Sequence, residues 1–144
     1  MPQIIITALT AGLGTQFFKF VRRSWRDKRF EWRRLNTYGG MPSAHTAFVS
    51  SLTTAIGIQE GIDSPSFAIA FILSGIIVRD AIGFRRYLGN HGHILNKLVQ
   101  SLPEQLRSQF PQRLQERIGH TPTEAMVGGI IGIIVAVLYY TLVF

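Results

Sequence analysis

Apolar residues fall along this chain in four blocks. Residues 3–21, Gln3 to Val21, run almost without charge, and 43–59, Ser43 to Gln59, are rich in Ser, Thr and Ala. Residues 65–82 stay apolar until Arg79 and Asp80, and 125–144 carry no charged side chain. A helix needs ~20 apolar residues to cross a bilayer. The first and last blocks meet that length and predict transmembrane helices. The middle two are shorter and more polar, and alone would also suit core helices of a soluble bundle. The expectation is an all-α, integral membrane helical bundle with about four spans, built as one domain over residues 1–144.

Between the blocks the loops differ in character. Residues 19–34 hold Lys19, Arg22, Arg23, Arg26, Lys28, Arg29, Arg33 and Arg34 against only Asp27 and Glu31. Residues 60–64 form a short acidic turn, and 83–121 are long and basic again. Lys/Arg-rich loops are retained in the cytoplasm. Both long loops are therefore expected on the cytoplasmic side and both termini outside. No positive region precedes the first apolar block, so it does not read as a signal peptide.

The long loop has a period of its own. Phe84, Tyr87, Leu88, His91, Ile94, Leu95, Leu98 and Leu102 recur at helical spacing, which predicts an amphipathic helix. Leu102, Leu106, Phe110, Leu114 and Ile118 continue it in steps of four, cut by Pro103 and Pro111. Ser101 with Glu104 fits a capping box for the second piece. Short basic amphipathic helices of this kind are expected to lie in the membrane interface.

Composition agrees and narrows the chemistry. Charged residues are 16% of the chain, hydrophobic ones 47%, and the net charge is +7. With Cys at 0, a disulfide scaffold, a thiolate nucleophile and a Cys-ligated zinc are excluded. His91 and His93 lack a third ligand, so neither a metal nor another cofactor is expected. Trp25, Phe30 and Trp32 among the arginines fit an interfacial aromatic belt better than base stacking, and no nucleic-acid partner is expected.

Three stretches can carry chemistry. Gly39-Gly40-Met41-Pro42-Ser43-Ala44-His45 enters the second block. Pro42 suits a first helical turn, whose free N–H groups attract phosphate; Ser43 adds a hydroxyl, and His45 an acid or base. A helix cap with an incidental histidine explains the same residues. Gly119-His120-Thr121-Pro122-Thr123-Glu124 enters the last block, with Thr121, Pro122 and Glu124 spaced as a capping box. Glu124 is also placed to orient His120 as a nucleophile. Finally, Asp80 precedes Arg85 and Arg86, which suit phosphate binding as well as an ordinary basic skirt. Gly128 and Gly132 have the spacing of a close helix crossing, although simple backbone permissiveness explains them equally well.

Together these three motifs, in this order, resemble the divergent branch of the type 2 phosphatidic acid phosphatases, relatives of the vanadium haloperoxidases and bacterial acid phosphatases. The resemblance runs through GGMPSAH, VRDAIGFRR with HILNKLV, and GHTPTE ahead of a Gly-rich last span. It implies that His45, His120 and Glu124 are catalytic: His120 attacks phosphorus, Glu124 orients it and His45 protonates the leaving alkoxide. It also implies that Ser43, Ala44, Arg85, Arg86 and Asp80 form the phosphate site. The implied reaction is metal-independent hydrolysis of a membrane lipid phosphate monoester or diphosphate through a phosphohistidine. The alternative is non-enzymatic binding or transport of such a lipid by the same site. The parent motif has Gly where this chain has Ala44, its Lys and Arg-Pro motif finds no match, and Leu114 falls where it has an arginine. The parent core also has more helices; a second copy of the chain, in a homodimer, is one way to complete the bundle. The expected location is a bacterial cytoplasmic membrane, as a multi-pass protein; the charge bias puts its site on the cytoplasmic face, whereas many parent lipid phosphatases are thought to work on the outer face.

Overall fold

A computed structural model describes residues 2–28, 40–110, 112–116 and 118–143. Arg29, Phe30, Glu31, Trp32, Arg33, Arg34, Gly39 and Pro111, all named above from the sequence, lie outside the described residues. The elements are α1 (Pro2–Asp27), α2 (Ala44–Glu60), α3 (Pro65–Ile82), α4 (Phe84–Ser101), α5 (Glu104–Arg107) and α6 (Pro122–Val143). α1, α2, α3 and α6 alternate in direction, and α2 packs against the other three. Three helical stretches are long and apolar enough to cross a membrane: Pro2–Arg26, Pro65–Ser101 and Pro122–Val143. α2, with 17 residues, is shorter and more polar, and those three shelter it.

The bundle is small and polar inside, large and apolar outside. On α1 the buried residues are Ile4, Thr7, Ala8, Ala11, Thr15, Lys19 and Phe20, while Ile5, Leu9, Leu13, Phe17 and Phe18 are exposed. Lipid is as apolar as leucine, so burying large side chains adds little; close packing and hydrogen bonds hold such bundles. α6 lays Ala125, Gly128, Gly132 and Ala136 against α2. A Cβ on Gly128 would strike the Ser43 carbonyl, and one on Gly132 the Ala47 carbonyl. The expected close crossing is present, and its partner is α2 of the same chain. Hydroxyls add ties: Ser51 Oγ donates to the Thr7 carbonyl at 3.3 Å, and Thr53 Oγ1 lies 2.8 Å from Ser74 Oγ.

The two ends of the bundle differ. At one end Tyr140 donates to Gln59, which donates to Gln3. The other end gathers the C-termini of α1 and α3 with the N-termini of α2 and α6: the Ser43 amide donates to the Glu124 carbonyl at 3.1 Å, and the His120 amide to the Ala81 carbonyl at 2.9 Å.

The long basic loop holds α4 where an amphipathic helix is predicted, and its small and polar side is the one that packs on the protein. Its buried residues are Gly89, Gly92 and Asn96. Phe84, Tyr87, Leu88, Ile94, Leu95 and Leu98 stay exposed. That leaves an apolar stripe free for the bilayer interface. The predicted second helix shrinks to α5. Residues 113–116 are not helical, because their backbone turns to α4 instead: Asn96 Nδ2 donates to the Leu114 carbonyl at 2.8 Å and the Leu114 amide to Asn96 Oδ1 at 3.0 Å. The capping box at Ser101 is also absent. Pro103 occupies the N-cap of α5, the Ser101 hydroxyl bonds the Leu98 carbonyl, and Glu104 pairs with Arg107.

Candidate functional site

Each candidate side chain owes its place to a helix end. Ser43 is the N-cap of α2: its Oγ accepts from the Thr46 amide at 3.3 Å and from Thr46 Oγ1 at 3.0 Å. Pro42 thus precedes the cap instead of occupying the first turn, and its peptide bond with Met41 is cis. Ser43 is fully buried, beneath α6. Ala44 and His45 open the helix, so their amides have no intrahelical carbonyl to bond.

At the mouth of α6 the predicted capping box is formed. The Thr121 amide donates to Glu124 Oε2 at 3.1 Å, and the Glu124 amide to Thr121 Oγ1 at 3.3 Å. His120 Nδ1 lies 3.2 Å from that same Oε2. The Nδ1 proton faces the carboxylate, which leaves the Nε2 lone pair free. Just before it, Gly119 has φ +94° and lies so near the α4 backbone that a Cβ would come within 2.7 Å of the Arg86 amide nitrogen. Only glycine adopts that turn without strain.

The two histidines meet. Their ring centroids are 6.4 Å apart, with planes inclined at 58°. That spacing lets one tetrahedral anion touch both rings through contacts of about 3 Å each. Asp80 holds Arg85 through a 2.6 Å bond between Oδ2 and Nε. The Arg85 charge acts on both His45 and His120. Arg86, the next residue, is exposed on α4. Burial pushes the His120 imidazole below the ordinary histidine range; the Glu124 bond opposes that shift, and Lys19 and Arg85 reinforce it.

Lys19, along the sequence only one residue of a basic run, also belongs to this end of the bundle. It is 5% exposed, and its charge acts on His45, His120 and Glu124. The signal was available: Lys19 continues the spacing of Thr7, Ala11 and Thr15, which face inward. Arg113 pairs with Glu116 instead of the histidines, and His93 bonds the same carboxylate at 2.9 Å. Among the described residues no three His, Asp or Glu side chains gather as metal ligands do.

A helical bundle with three stretches long and apolar enough to cross a membrane, and with two histidines, the buried Lys19 and the half-buried Arg85 at one end, defines the class: a membrane protein. The model of the Divergent PAP2 family matches residues 2–135, and the chain belongs to that family. It is also 30% identical to the protein described as "Uncharacterized membrane protein YuiD" of Bacillus subtilis (strain 168), over 93% of this chain and 91% of that one. No solved structure gives a significant match.

Proposed function

We propose that this protein hydrolyses a lipid phosphate monoester or diphosphate at the cytoplasmic face of the membrane, without a metal, through a phosphohistidine. The observation that carries the proposal is the pairing of His120 Nδ1 with Glu124, with His45 one anion's width away. Nε2 of His120 attacks phosphorus and the P–O bond to the lipid breaks. His45 protonates the departing alkoxide. In the second half-reaction His45 takes a proton from water, whose oxygen attacks the phosphohistidine and frees His120 and phosphate. Lys19 and Arg85 balance the charge that spreads over the phosphoryl oxygens, the chief catalytic demand of this chemistry. The open amides of Ala44 and His45 add donors at the positive end of α2. Ser43 shapes that end as its cap, Asp80 aims Arg85, and Arg86 attracts the anionic headgroup from the surface.

The test is phosphate release by purified, reconstituted protein from a panel of lipid phosphates, wild type beside His120→Ala. Release that disappears in His120→Ala supports the reading. Full activity in His120→Ala overturns it. A lipid that binds without any release assigns the same site to binding or transport.

A further inference from the structure

His120 is held by more than its own helix. The chain that delivers it, residues 113–116, lies across α4 as a strap. One side chain takes both polar groups of a strap residue: Asn96 donates to the Leu114 carbonyl at 2.8 Å and accepts from the Leu114 amide at 3.0 Å. This pairing is equivalent to one rung of an antiparallel sheet. Asn96 donates again to Glu116 Oε1 at 2.8 Å, and His93 and Arg113 hold the same carboxylate. The surface beneath is cut to fit. A Cβ on Gly89 would come within 2.5 Å of the Glu116 carbonyl oxygen, and one on Gly92 within 2.7 Å of the Gln115 carbonyl oxygen. Past the strap, the His120 amide donates to the Ala81 carbonyl at 2.9 Å.

A lone asparagine, 7% exposed, is costly to bury unless bonded, and here every bond it makes goes to the strap. We infer that Asn96 is a positioning residue for His120: by fastening residues 113–116 to α4, it sets where the imidazole sits. Asn96 itself touches neither histidine. The kinetic arm of the test rests on the proposed hydrolysis; the labelling arm does not.

The experiment follows carbethoxylation by diethylpyrocarbonate at each histidine, resolved by peptide mass spectrometry; the chain has 4 His. Asn96→Ala removes the fastening. Gly92→Ala keeps it but pushes the strap away while favouring the helix, so it guards against a mere failure to fold. Asn90→Ala, on the exposed side of α4, is the control. His120 is expected to react about tenfold faster in Asn96→Ala and Gly92→Ala, the scale set by losing one or two buried hydrogen bonds. His45 and the control should be unchanged. In turnover, kcat should fall with KM held, because the cations that bind phosphate stay in place. Unchanged His120 reactivity in both variants overturns the inference, and so does an equal rise at all histidines, which marks general loosening. Selective labelling in a protein that releases no phosphate upholds the strap and counts only against the hydrolase reading.

Discussion

His120 Nδ1 and Glu124 Oε2 stand 3.2 Å apart, and the same oxygen closes the N-terminal cap of α6 by accepting the Thr121 amide at 3.1 Å. One carboxylate therefore starts a helix and fixes the tautomer of a histidine. The two duties separate by substitution. Glu124→Gln keeps a capping-box acceptor but removes the charge that favours an imidazolium. Turnover should fall by a factor on the order of 10²–10⁴, with thermal stability nearly unchanged. Equal turnover in wild type and variant would leave Glu124 as a cap alone.

The pH dependence has a definite sign. Burial lowers the proton affinity of His120, so the unfolded chain takes up that proton first as pH falls. The stability contributed by the neutral ring is complete above the unfolded value, about 6.5, and is lost as pH drops through the lower folded value. A nucleophile must be neutral, so the acid limb of kcat/KM should also lie below about 6.5. A limb at or above that value would contradict the assignment.

Lys19 tests the cation set. Lys19→Met keeps the chain length and removes the charge. Affinity for vanadate or a lipid phosphate should drop roughly 10- to 100-fold, the worth of a charge-assisted bond. Without ligand the variant should be as stable as wild type or more so, because a buried charge carries a desolvation cost. Isothermal titration and thermal melts in the same detergent read both effects. Marked destabilisation with intact binding would make Lys19 structural.

Gly132 tests the packing. Gly132→Leu places a side chain where the Ala47 carbonyl lies and should destabilise the bundle by about 3 kcal/mol or more. Gly75 has open space around it, so Gly75→Leu on lipid-facing α3 should cost far less. Denaturant midpoints in mixed micelles compare the two.

Orientation is accessible through cysteine labelling, since the chain has none of its own. A Cys at Asp63, in the turn between α2 and α3, should react with an impermeant reagent from outside intact cells. One at Gln109, beyond α5, should react only after lysis. The reverse pattern would put the site on the outer face.

Much was legible along the chain because it depends on local composition. Charge-free blocks mark spans, since the bilayer charges a price for every buried ion, and the caps at Thr121 and Glu124 follow from residues three apart. The small-residue seam of α6 announces a close neighbour by spacing alone, and one end of the bundle collects His45, His120 and Asp80 because alternating helices return there. What spacing does not carry is which partner wins when two are offered. Residues 102–118 have a helical period, yet the Leu114 backbone pairs with Asn96, 18 residues earlier, because a buried asparagine and two glycines on α4 make a better seat than another helical turn. α4 therefore presents its polar side to the protein and its apolar side outward. Lys19 likewise looks like one more basic residue until α1 packs and turns it inward beside the histidines. Both outcomes rest on contacts between residues far apart in sequence, which only the packed helices bring together.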